Sequence, residues 1–107
     1  MDKNTYLLKI SGSIVSEKHK EFEQTIRFVF NMLPSGCFAS HLAIDVLHPN
    51  LYHVLTLWRS GEQLASFNSS DEFNLIKGSF QTLGFVNKSI AAKVANVNVF
   101  RIESDDL

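Results

Sequence analysis

The sequence predicts an α+β domain in the order strand, helix, strand, strand, helix, strand, and three observations carry that reading. Apolar residues recur at helical spacing in two separate stretches, 22–33 and 64–83. Runs rich in β-branched and aliphatic residues lie before, between and after them. Turn chemistry at Pro34-Ser35-Gly36 and at His48-Pro49-Asn50 divides the runs.

The first strand spans Thr5 to Val15, with Tyr6, Leu8 and Ile10 on one face and Leu7 and Lys9 on the other. Ser16 and the charged run Glu17-Lys18-His19-Lys20-Glu21 then lead into a helix whose buried stripe is Phe22, Ile26, Val29, Phe30 and Leu33. Pro34 ends this helix because it cannot continue the hydrogen-bond ladder, and Gly36 permits a tight exit. A second strand runs from Cys37 to Leu47. The turn at 48–50 makes it one arm of a hairpin whose other arm is Leu51 to Trp58. In that third strand Val54, Thr56 and Trp58 face one way while His53, Leu55 and Leu57 face the other.

Ser60 with Gln63, and Ser69 with Glu72, have capping-box spacing, which predicts two helical starts. The first piece carries Leu64 and Phe67; the second carries Phe73, Ile76, Phe80 and Leu83 before Gly84 closes it. A connection over Gly84 to Ser89 precedes a fourth strand, Ile90 to Ile102, and an acidic tail, Glu103 to Leu107. The compact solution for this order is a four-stranded antiparallel sheet with the helices on one face, the ferredoxin-like βαββαβ arrangement. Its open face would expose Leu55 and Leu57, so a second copy is expected to cover it. That gives a dimeric α+β barrel with His53, Leu55 and Leu57 at the interface.

At 107 residues the chain is expected to be a single domain over 1–107, with its core within 5–102. Its 45% hydrophobic and 20% charged content excludes a disordered chain. A net charge of −1 with scattered Lys and Arg argues against a nucleic-acid partner. Cys37 is the sole cysteine, which rules out an internal disulfide and a cysteine cluster for zinc. No apolar window reaches the ~20 residues of a membrane span, and no signal-peptide pattern opens the chain, so a cytoplasmic location without membrane attachment is expected.

The five glycines are isolated, so no nucleotide cofactor is expected. His41, His48 and His53 straddle one hairpin without a metal-ligand spacing, and no metal is expected. The first and third strands lack the stacking aromatics of an RNA-recognition sheet. Serines lie in caps and turns rather than in a Gly-x-Ser-x-Gly elbow, which argues against hydrolase chemistry. What stands out is the concentration of Trp58, Phe67, Phe73 and Phe80 on the third strand and the helices that should cover it. These rings either fill the core or line an apolar pocket for a flat ligand, with Trp58, at a strand end, nearest the mouth.

The run Pro34-Ser35-Gly36-Cys37, the hairpin at 48–50, the run Leu57-Trp58-Arg59-Ser60-Gly61-Glu62-Gln63-Leu64 and the run Ser70-Asp71-Glu72-Phe73 occur in this order. Over residues 5 to 102 the chain thereby resembles the antibiotic biosynthesis monooxygenase family of the dimeric α+β barrel superfamily. The resemblance implies a homodimer and, in the enzymatic members, cofactor-free oxidation of a quinol or polycyclic phenol by dioxygen between sheet and helices. It makes Trp58, as a hydrogen-bond donor, and Lys77, as a rim cation beside a phenolate, the catalytic candidates. Leu8, Val54, Trp58, Phe67, Phe73 and Phe80 would surround the substrate. Phe67 stands where many members carry His, and Val54 where quinone-forming members carry Asn. Leu8, Phe67 and Lys77 replace the Asn, Trp and His of a haem-degrading branch, so haem is not expected. The alternative is a non-catalytic homodimer that binds an apolar metabolite or acts as an interaction module.

Overall fold

The computed structural model describes residues 4–95. Strand β1 (Tyr6–Ile14) leads through a 3-10 turn (Ser16–Lys18) into helix α1 (His19–Phe30). The hairpin β2 (Cys37–Ile44) and β3 (Leu51–Trp58) follows, then helices α2 (Gly61–Asn68) and α3 (Asp71–Leu83), and strand β4 (Gly84–Lys93). The strands form one antiparallel sheet in the order β2-β3-β1-β4, which is the ferredoxin-like arrangement. No helix among the described residues is long and apolar enough to cross a membrane.

The period-two pattern of β3 holds residue by residue: Tyr52, Val54, Thr56 and Trp58 are buried, and Leu51, His53, Leu55 and Leu57 only partly so. With Leu8, Ile10 and Ile14 of β1, the buried set packs against Phe22, Ile26 and Val29 of α1, Leu64 and Phe67 of α2, and Phe73, Ile76, Phe80 and Leu83 of α3. The apolar stripes of the helices thus meet one face of the sheet, and their burial is the main favourable term for the fold. Gly12 lets α3 settle onto β1. A Cβ there would lie 2.5 Å from the Phe80 ring and 2.6 Å from the Phe85 carbonyl oxygen.

Four boundaries differ from the sequence reading. Strand β4 starts at Gly84 rather than Ile90, because residues 84–89 pair with β1: Gly84 lies opposite Ile14, and Phe85 opposite Ser13. Asn87 sits in a bulge between the pairs Gly12–Val86 and Ser11–Lys88, and so weakens the strand pattern there. Residues 96–102 of the expected strand, and the tail 103–107, lie outside the described residues. Strand β2 stops at Ile44 rather than Leu47, because the Asp45 carboxylate accepts the backbone N–H groups of Leu47 and His48, both at 3.0 Å, and turns the chain. Helix α3 is capped by Ser70, whose hydroxyl accepts the Phe73 N–H at 3.1 Å, while Ser69 ends α2. Finally, α1 proper begins at His19, after the 3-10 turn that Ser16 opens.

Candidate functional site

A cavity of about 310 Å³ opens where β3 ends and the helical corner begins. One wall is the exit from α1, Pro34-Ser35-Gly36; the others are Trp58 of β3, Gln63, Ser66 and Phe67 of α2, and Ser70 and Glu72 at the α2–α3 corner. The capping serines shape this corner. Ser60 accepts the Gln63 N–H at 3.1 Å and starts α2, and Ser70 starts α3 after a two-residue break. Gly36 leaves room for α2, since a Cβ there would run into the Gln63 side chain.

Buried aromatic rings back the cavity from the core side. Trp58 and Phe67 are stacked at a tilt, with centroids 4.9 Å apart and planes 35° apart, and Phe73 backs Phe67 at 5.5 Å. The Trp58 indole N–H donates to the Thr56 hydroxyl at 2.7 Å, and that hydroxyl donates to the Leu8 carbonyl at 3.2 Å. Both residues are buried. The Trp58 N–H, expected to serve a substrate, is engaged inside the core, and the ring itself is fully buried behind the cavity.

Of the pocket residues expected from the sequence, Trp58 and Phe67 line the cavity. Leu8, Val54, Phe73 and Phe80 instead lie in the core, with Phe80 against Phe22 at 4.8 Å. Lys77 does not line the cavity either; its ammonium lies over the Phe73 ring, 5.2 Å from the centroid. The polar lining residues Ser35, Gln63, Ser66, Ser70 and Glu72 were missed as site residues. The sequence reads Gln63 and Glu72 as capping partners; Gln63 is bonded to Ser60, whereas Glu72 makes no capping bond because Ser70 caps α3.

The polar atoms at the cavity fall into two groups. The Ser70 hydroxyl is engaged twice, donating to the Phe67 carbonyl at 2.6 Å and accepting from Phe73, and Gln63 Oε1 accepts from the Ser60 hydroxyl at 3.2 Å. Among the described residues, no hydrogen bond or ion pair engages the Glu72 carboxylate or the Ser66 hydroxyl. Among the described residues, Glu72 is the one ionisable residue in the lining. Beside the cavity, Cys37 donates its thiol hydrogen to the Ala39 carbonyl at 3.2 Å, and burial pushes its pKa up. No group of three or more His, Cys, Asp or Glu suited to a metal ion occurs among the described residues. A depression of about 330 Å³ between α1 and α3 has no aromatic lining.

The opposite face of the sheet carries the three residues expected at an interface. Leu57 pairs with Leu7, Leu55 with Lys9, and His53 with Ser11. His53 bridges two neighbours, its Nδ1 lying 2.7 Å from the Ser11 hydroxyl and its Nε2 3.1 Å from an Asp45 carboxylate oxygen.

Strand order and helix placement define the class as a ferredoxin-like α+β fold, and solved structures share it over nearly their whole length. A Caulobacter crescentus protein provisionally named an antibiotic biosynthesis monooxygenase superposes with a TM-score of 0.71 at 16% identity, covering 90% of this chain and 92% of that one. A Nitrosomonas europaea protein of the same provisional name gives 0.69 at 9% identity, covering 91% and 94%. A conserved Bacteroides thetaiotaomicron protein of unknown function, named a possible oxidoreductase, gives 0.67 at 14% identity, covering 87% and 98%. No protein-family model and no curated protein matches the chain.

Proposed function

We propose that the protein is a cofactor-independent monooxygenase that oxidises a quinol or polycyclic phenol with dioxygen in the cavity walled by Trp58 and Phe67. The observation that carries this reading is a cavity backed by the buried rings of Trp58 and Phe67 and edged by unengaged polar groups, which suits a small hydroxyarene. The names of the structural neighbours lend it support. When a phenol becomes a quinone, the hydroxyl and a ring carbon each give up one hydrogen. One oxygen atom becomes the new carbonyl, the other leaves as water with both hydrogens, and the substrate supplies the electrons. The protein's part is to hold the ring, exclude bulk water and draw the hydroxyl proton. In this reading a second copy covers the open sheet face at His53, Leu55 and Leu57.

The test is dioxygen uptake with a panel of reduced naphthoquinols and polycyclic phenols, in the presence of chelator, beside Ser66→Trp. That variant fills the cavity from an exposed helix position. Uptake above background, reduced about tenfold or more in the variant, is expected. No uptake across the panel, or equal uptake in both proteins, would remove the oxygenase. The second reading, a non-catalytic homodimer binding an apolar metabolite, is favoured by one observation: the indole N–H is bonded to Thr56 rather than directed at a ligand.

A further inference from the structure

We infer that this cavity selects a small planar arene bearing a hydrogen-bond donor, a phenolic hydroxyl, which it presents to Glu72, and that it rejects aromatic carboxylates; the inference rests on the cavity being the ligand site. At about 310 Å³ the cavity lies at the low end of the roughly 300–1,000 Å³ typical of ligand sites, which suits one or two fused rings rather than a larger polycycle. The buried rings of Trp58 and Phe67 give the cavity an apolar backing for such a ligand.

Its polar end then meets a defined set of groups. The indole N–H is bonded to Thr56 and the Ser70 hydroxyl is engaged twice, so neither can serve the ligand without breaking an internal bond. The Ser66 hydroxyl and the Glu72 carboxylate have no partner among the described residues, and the carboxylate, which carries the charge, can only accept while ionised. Among the described residues no cation lines the cavity to offset it, since Lys77 lies over Phe73 and the Arg59 guanidinium over Phe38, 4.8 Å from its centroid. An anionic ligand would meet an uncompensated like charge, whereas a hydroxyl gains a charge-assisted bond. As the phenolic proton shifts toward Glu72, its electron pair stays on the phenolic oxygen, which makes the ring a better electron donor. Glu72 is thus assigned both selection and proton acceptance.

Calorimetric titration with 1-naphthol, 1-methoxynaphthalene and 1-naphthoate separates the possibilities, because the three share one ring system but present a donor, an acceptor and an anion. The wild-type protein is expected to bind 1-naphthol about tenfold tighter than 1-methoxynaphthalene and to give no heat with 1-naphthoate. Glu72→Gln, a surface change of equal size, should bring the first two near parity and admit the third. Equal affinities in the wild type, or a preference that survives Glu72→Gln, would overturn the inference while leaving the cavity as an arene site. Binding of none of the three would overturn both. The expected selectivity without dioxygen uptake would support Glu72 and discard only the oxygenase.

Discussion

Thr56 sits between the Trp58 indole and the Leu8 carbonyl, joining β3 to β1 by side chain as well as by ladder. Trp58→Phe removes the first bond and part of a fully buried ring, while the Thr56 hydroxyl still donates to Leu8. The bond contributes about 0.5–1.5 kcal/mol, and the lost ring volume adds to it. A fall in denaturant midpoint corresponding to about 1–3 kcal/mol is expected, with the slope of the transition unchanged. Gly12→Ala acts by crowding. The new methyl meets the Phe80 ring and the backbone oxygen of Phe85, and only the ring can move aside. A loss of about 1–3 kcal/mol or more is expected in the same measurement, and a variant as stable as the wild type would show that α3 does not press on β1 at this point.

At the tip of the β2–β3 hairpin one carboxylate adds to the backbone bonds that close the turn. Asp45 accepts from the backbone N–H groups of Leu47 and His48 and is joined to His53, which is joined in turn to Ser11 on β1. These bonds, that with His53 foremost, hold the Asp45 carboxyl below its usual range. A depressed folded pKa stabilises the protein above the unfolded value, about 3.9, and that contribution is lost as pH falls through the lower folded value. The stability difference between the wild type and Asp45→Asn should therefore be largest near neutral pH and shrink below about pH 4. A difference constant from neutral pH to about pH 3 would remove the carboxylate from this role. The same tip shows why element boundaries escaped the sequence. Ile44, Val46 and Leu47 read as strand, yet Val46 and Leu47 are 95% and 82% exposed because the Asp45 side chain bends the chain ahead of the turn at Pro49-Asn50. In β4 the bulge at Asn87 hid a strand start, and Ser69 and Ser70 offered two caps of which packing uses the second. Patterns of periods 2 and 3.6 were legible because burial enforces them along whole elements, as β3 and α1 show. The cavity was legible only at Trp58 and Phe67, since its polar rim exists where three elements meet.

The element order foretold the sheet, and the sheet leaves one face without helices. Across that face Leu57 stands between Leu7 and Ala39, and Leu55 between Lys9 and His41. Ala92 and Ile90 of β4 extend the row beyond Leu7 and Lys9. An apolar band of this width, interrupted by Lys9 and edged by His41 and Lys88, suits self-association through a twofold axis, because each side chain then meets the same surface on its twin. Light scattering at low micromolar concentration should give twice the 12.1 kDa chain mass. Leu55→Lys should give the monomer, since it adds an ammonium beside Lys9 and carries it into an apolar contact; Leu57→Lys should act likewise through Leu7. A wild-type monomer, or dimers in both variants, would refute this interface. The cavity lies on the helical side of the sheet, with Trp58 pointing away from Leu57. If one chain supplies the whole site, the monomeric variants retain the 1-naphthol affinity of the wild type. If affinity falls together with the mass, the second copy completes the site.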